Sequence, residues 1–219
     1  MKDLYILGAG GFGREIAWVI NDINKVKPQY NVIGFLDDRE EIQGERINGI
    51  KVVGKISEFK DLPEYGKIYA TIGILDSLIR RNIIESYKDF NRWATIIHPT
   101  AVISETATIG TGTIIFPYAT VGVDAAIGAN SFLNIHCSVG HDCRLGNNVT
   151  MLIGAILGGG VIVGENSCIA TNAAVLPGKN VGKNVFVGAG SIVNKKVRDN
   201  VTVFGVPARI IAYKSDTDN

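Results

Sequence analysis

The chain carries three histidines, His98, His136 and His141, and a general base of near-neutral pKa has to come from among them. His141 is the strongest candidate, because Asp142 follows it directly and is placed to orient the imidazole and stabilise its charged form. Such a pair takes a proton from an amine or hydroxyl as that nucleophile attacks an acyl group. A second set of residues suits phosphate. Gly8-Ala9-Gly10-Gly11-Phe12-Gly13 matches G-x-G-x-x-G, in which backbone N–H groups and a helix N-terminus receive an anion. Asp37 and Asp38 follow about 24 residues later, where an acidic side chain accepts hydrogen bonds from a ribose or base.

Two regions of different rhythm must position these groups. Residues 1–95 alternate short apolar runs with helical spacing: strands at 4–7, 32–36 and 68–72, helices at 14–23 and 77–87. This is the pattern of an α/β, Rossmann-like layer, with the glycine motif in its first strand-to-helix turn. A full dinucleotide fold needs two mononucleotide halves, and about 90 residues have room for little more than one. A nucleotide-sugar is therefore the expected ligand of residues 1–95 rather than NAD.

From Ile97 to Val193 an aliphatic residue stands at every sixth position, often followed by Gly, and the residue four further on is usually small, as at Ala101, Ser131, Cys137 and Cys143. A period of six fits neither an amphipathic helix nor a hairpin meander. It fits a parallel β-solenoid in which each face of each coil inserts one aliphatic side chain, which makes residues 96–219 an all-β domain ending in a tail. The polar residues after Tyr213 are expected to fray.

Composition removes other classes. Lys and Arg total 22 against 21 Asp and Glu, with no long basic run, so nucleic acid is not an expected partner. No apolar stretch reaches the roughly 20 residues of a membrane span, and the first residues lack a signal-peptide layout, so the expected compartment is the cytoplasm. Cys137 and Cys143 fall on small core positions of the repeat and are expected to be reduced and structural.

The six-residue aliphatic-Gly-x-x-small-x repeats resemble the hexapeptide family, whose members form left-handed triangular β-helices of 18-residue coils. With the glycine-loop domain, the His-acid pair and Gly205-Val206-Pro207-Ala208-Arg209, almost the whole chain is similar to the sugar acetyltransferases that make acetylated bacillosamine or perosamine, and to the sialic acid O-acetyltransferases. The resemblance implies a homotrimer with acetyl-CoA between neighbouring subunits, a nucleotide-linked amino sugar as acceptor and no metal. It makes His141 the base, Asp142 its partner, Asn134 a hydrogen-bonding neighbour and Gly159, one coil beyond His141, the oxyanion donor. It assigns Gly8, Gly10, Gly11, Phe12, Gly13, Asp37, Asp38 and Gly73 to the nucleotide-sugar. Thr150, Gly159, Thr171, Ala189 and Lys195 fall to the cofactor, with Lys179, Lys183, Lys196 and Arg209 near the CoA phosphates. Two positions depart from the family: Thr150 stands where a second histidine is frequent, and Phe12 where the loop can carry one.

Three other readings compete. O-acetylation of a sugar hydroxyl would use the same base. A metal-dependent carbonic anhydrase on the same solenoid uses three histidines, two of them spaced as His136 and His141 are, but His98 is out of phase with them in an 18-residue coil. A scaffold that binds a nucleotide-sugar without transfer chemistry rests only on Thr150.

Overall fold

The computed structural model describes residues 1–213, so the tail after Tyr213 lies outside the described residues. The chain divides into two compact units, residues 1–99 and the residues from Thr100 onward.

In the first unit, β1 (Lys2–Leu7) leads into α1 (Gly11–Val26) and back to β2 (Tyr30–Leu36). Ile16, Val19, Ile20 and Ile23 recur at helical spacing and form the buried stripe of α1. A hairpin follows, β3 (Arg46–Ile47) and β4 (Ile50–Gly54), then β5 (Tyr69–Ile72) and α2 (Ser77–Ser86). The sheet order is β3-β4-β2-β1-β5. Pairing is parallel except between β3 and β4. The hairpin was not expected from sequence, although Asn48-Gly49 marks it: both residues have positive φ, 48° and 83°, as a two-residue turn between twisted strands requires. Asp76 caps α2 by accepting from the N–H groups of Leu78 and Ile79.

The second unit is the expected solenoid. Two-residue strands stack in parallel with a register of 18, as Val121 on Val139, Val139 on Leu157 and Leu157 on Val175. One face has six strands and another five, and the third ends in Val201–Phe204 with Arg209–Tyr213 antiparallel beside it. Gly205-Val206-Pro207-Ala208 forms the turn of that terminal pair. Every aliphatic of the repeat from Ile115 to Val193 is buried, while Ile103 and Ile109, in the first coil of this unit, are half-exposed.

Two further regularities hold the coils together. From Ile109 to Val187 the third residue after each aliphatic adopts positive φ, and the chain supplies Asn, Asp or Gly at nearly all of these corners, including Asp124, Asn130, Asp142, Gly154 and Gly160. Tyr118 and His136 occupy two of these corners and stack, with ring centroids 5.2 Å apart and planes 14° apart. Four of the small inward residues with a hydroxyl or thiol donate to a carbonyl of the next coil: Ser131 to Gly146 (3.2 Å), Ser167 to Gly182 (2.7 Å), Cys137 to Leu152 (3.0 Å) and Cys143 to Gly158 (3.1 Å). Burial pushes the Cys137 thiol up to about 12 and raises that of Cys143, so both remain protonated donors. No disulfide joins the three cysteines.

Candidate active site

His141 and Asp142 form the corner after the strand Ser138–Val139, where the chain must turn away from the core. The turn throws both side chains outward, leaving 70 % and 60 % of their side-chain surface exposed. Asp142 has the positive φ, 59°, that its place in the repeat demands, and its Oδ2 lies 2.8 Å from His141 Nδ1. With the Nδ1 proton held by the carboxylate, the lone pair is on Nε2.

Gly159 stacks above His141, as the coil length requires. A Cβ on Gly159 would lie 2.3 Å from His141 Nε2, so only glycine admits the ring there. The Gly159 N–H has no acceptor among the described residues, whereas the next amide, Gly160, is used at 2.8 Å by the His141 carbonyl. A lone pair and a free backbone donor thus share one corner. That is the pairing needed to deprotonate a nucleophile and receive the oxyanion it creates.

Asn134 is not part of this cluster within one chain. It follows the strand Phe132–Leu133 and stands at the preceding corner of the coil, its Oδ1 accepting from the Ile135 N–H at 2.7 Å. Its separation from His141 is no multiple of the coil, so the two cannot stack. The cofactor positions split in the same way. Thr171 and Ala189 follow the third face, on the Asn134 side, while Gly159 and Lys195 lie in the column of His141. Thr150 is on a strand of the third face and only 1 % exposed, away from the His141 corner. Lys195, Lys196 and Arg209 line one shallow cavity of about 340 Å³ in the last coil. Lys183 is engaged by Glu165 at 2.7 Å.

In the first unit a cleft of about 510 Å³ gathers Gly8, Gly10, Gly11, Phe12, Asp37, Asp38 and Gly73, together with Arg39, Ile56 and Ile74, which sequence reasoning missed. Gly13 stands behind the cleft: a Cβ there would meet the Gly8 carbonyl oxygen at 1.9 Å, so this glycine packs the helix onto the strand. Gly10 and Gly11 face open space apart from the Arg14 side chain, as a backbone approached by a phosphate must.

Asp37 lines the cleft with its carboxylate already engaged. Its Oδ2 accepts from the Ala9 N–H (2.8 Å) and Arg39 Nη2 (3.1 Å), and its Oδ1 from Arg39 N (3.1 Å) and Nε (2.9 Å). Four donors meet the carboxylate, so Asp37 ties the glycine loop to Arg39. Burial pushes its pKa up, but the Arg39 guanidinium and the Ala9 and Arg39 amides outweigh burial and hold it below the usual range. Asp38, which also lines the cleft, accepts at Oδ1 from the Ser57 N–H at 3.1 Å. His98 is buried against Asp22, 3.4 Å away, and no group of three His, Cys, Asp or Glu among the described residues is arranged to hold a metal ion.

A glycine-loop α/β unit followed by an 18-residue-per-coil parallel β-helix with a His–Asp corner is the architecture of left-handed β-helix sugar acyltransferases. Residues 3–87 match the family described as the PglD N-terminal domain. The acetyltransferase domain of PglB from Neisseria gonorrhoeae, solved with acetyl coenzyme A, is 32% identical, with 96% of this chain and 99% of that chain covered and a TM-score of 0.87. A histidine mutant of perosamine N-acetyltransferase from Caulobacter crescentus, in complex with CoA and GDP-perosamine, is 28% identical over 97% and 98% of the two chains, with a TM-score of 0.86. WeeI from Acinetobacter baumannii is 28% identical over 96% and 100%, with a TM-score of 0.78. No curated protein matches the chain in sequence. The chain belongs to the hexapeptide-repeat nucleotide-sugar N-acetyltransferases. No helix among the described residues is long and apolar enough to cross a membrane.

Proposed function

We propose that this protein transfers acetyl from acetyl-CoA to the amino group of a nucleotide-linked amino sugar, in the cytoplasm. The observation that carries the proposal is the His141 ring, fixed by Asp142 at Nδ1 and set with Nε2 beside Gly159. A sugar amine is protonated at neutral pH and has no lone pair until a base removes its proton; His141 Nε2 does so. The freed amine attacks the thioester carbonyl, and the carbonyl oxygen, now negative, is received by the Gly159 N–H. Collapse expels the CoA thiolate; the attacking nitrogen releases its remaining extra proton to water, and the imidazolium, stabilised by Asp142, protonates the thiolate. The glycine loop, Phe12, Asp38 and Gly73 hold the nucleotide-sugar in the first unit, with Asp37 fixing the loop.

The working form proposed is a homotrimer. Asn134, Thr171 and Ala189 stand at one corner of the coil, and His141, Gly159 and Lys195 at the next, so the two sets of site residues meet only where one corner of a chain faces the other corner of a second copy. Acetyl-CoA then lies between copies, with Lys195, Lys196 and Arg209 near its phosphates. Thiol release from acetyl-CoA with a panel of UDP-, GDP- and dTDP-linked amino sugars tests the acceptor class. Turnover with an amino sugar and none with its hydroxyl counterpart is expected; turnover with hydroxyl sugars alone would replace N- by O-acetylation.

A further inference from the structure

The peptide unit whose N–H is assigned to the oxyanion joins Gly158 to Gly159, and a peptide between two glycines meets little steric resistance to rotating about its flanking bonds. Turned over, it would point its carbonyl at the incoming thioester and its N–H into the wall. Something has to hold it. The Gly158 carbonyl faces inward, and the only described donor to it is the thiol of Cys143, at 3.1 Å, from the coil below. Cys143 is fully buried and protonated. Elsewhere in the solenoid, several equivalent carbonyls are held by their own turn instead, as Ala173 N–H to Ala170 (3.0 Å) and Ala125 N–H to Gly122 (3.3 Å); no such bond supports Gly158.

Building on the acetyltransferase reading above, we infer that Cys143 is a positioning residue for acyl transfer: its S–H fixes and polarises the Gly158–Gly159 peptide so that the N–H faces the oxyanion. A hydrogen bond to the carbonyl end of a peptide strengthens donation from its N–H end. Neither the thiolate nor the redox chemistry of sulfur takes part.

The repeat supplies its own controls. Alanine fills the same inward slot at Ala119, Ala125, Ala155 and Ala173, and serine at Ser131 and Ser167, so Cys143→Ala and Cys143→Ser are both compatible with the fold. Cys137→Ala removes an equivalent bond, to Leu152, at the other corner. Steady-state kinetics, thermal midpoints and the 15N-glycine amide shifts of the four proteins separate the roles. Cys143→Ala should lower kcat by about ten-fold, less than the ~10²–10³ of losing an oxyanion donor outright, with KM for both substrates unchanged. Cys143→Ser should restore kcat, and Cys137→Ala should leave it at the wild-type value. The Gly159 amide resonance should move in Cys143→Ala and return in Cys143→Ser. Wild-type kcat in Cys143→Ala, equal losses in Cys143→Ala and Cys137→Ala, or no recovery with serine would overturn the inference while leaving the acetyltransferase reading intact. Absence of turnover in the wild type itself would overturn that reading, and the catalytic role of Cys143 with it.

Discussion

A methyl group at position 159 would lie inside the van der Waals envelope of the His141 ring, 2.3 Å from Nε2, so the imidazole and an alanine there cannot both keep their places. Gly159→Ala should therefore displace the base and lower kcat by roughly 10²-fold, within the range for loss of general-base catalysis, with little change in thermal midpoint because the site is exposed. A variant that kept its activity would show that the ring does not work from this position. His141 and Asp142 were legible in the sequence because the repeat fixes which residues face outward, and adding one coil length led to Gly159. Asn134 was placed beside His141 by resemblance alone. The same arithmetic, applied to its position, puts it at a different corner. The free N–H of Gly159 could not be read from residue types, since it depends on which amides the neighbouring coils consume.

At the scale of elements, the first strand-to-helix turn is built around Asp37. Its carboxylate joins the Ala9 amide to Arg39, and Asp37→Asn removes the charge from those hydrogen bonds at a cost of about 2 kcal/mol at neutral pH. Folding lowers this pKa, so its contribution is complete above the unfolded value of about 3.9 and disappears as the pH falls through the lower folded value. Urea midpoints of wild type and Asp37→Asn should thus differ at pH 7 and converge in acid below about pH 4; a gap that widens in acid would contradict the assignment. The sequence showed that an acid ends the second strand, but not that Arg39, two residues on, would claim both of its oxygens. The β3–β4 hairpin was likewise missed, because its first strand is only two residues long, although Asn48-Gly49 is a hairpin turn in chemical terms. The solenoid, by contrast, was readable throughout, since an error of one residue would turn every aliphatic of the repeat outward.

For the whole molecule, the homotrimer proposed above would bring together site residues that one chain holds at successive corners. Equilibrium sedimentation should give three times the 23.5 kDa chain mass. Mixed oligomers of His141→Ala and Asn134→Ala, each inactive alone, should regain part of the wild-type activity at interfaces that combine the intact corners; no recovery would place both residues in one chain's own site. The most direct test of the central claim is the turnover of acetyl-CoA with the best amino-sugar acceptor by wild type and His141→Ala, with acetyl-CoA affinity measured in parallel. The structure requires kcat to fall by ~10²–10⁴ with affinity held within a few-fold. A His141→Ala variant that turns over at the wild-type rate would contradict the assignment of His141 as the base.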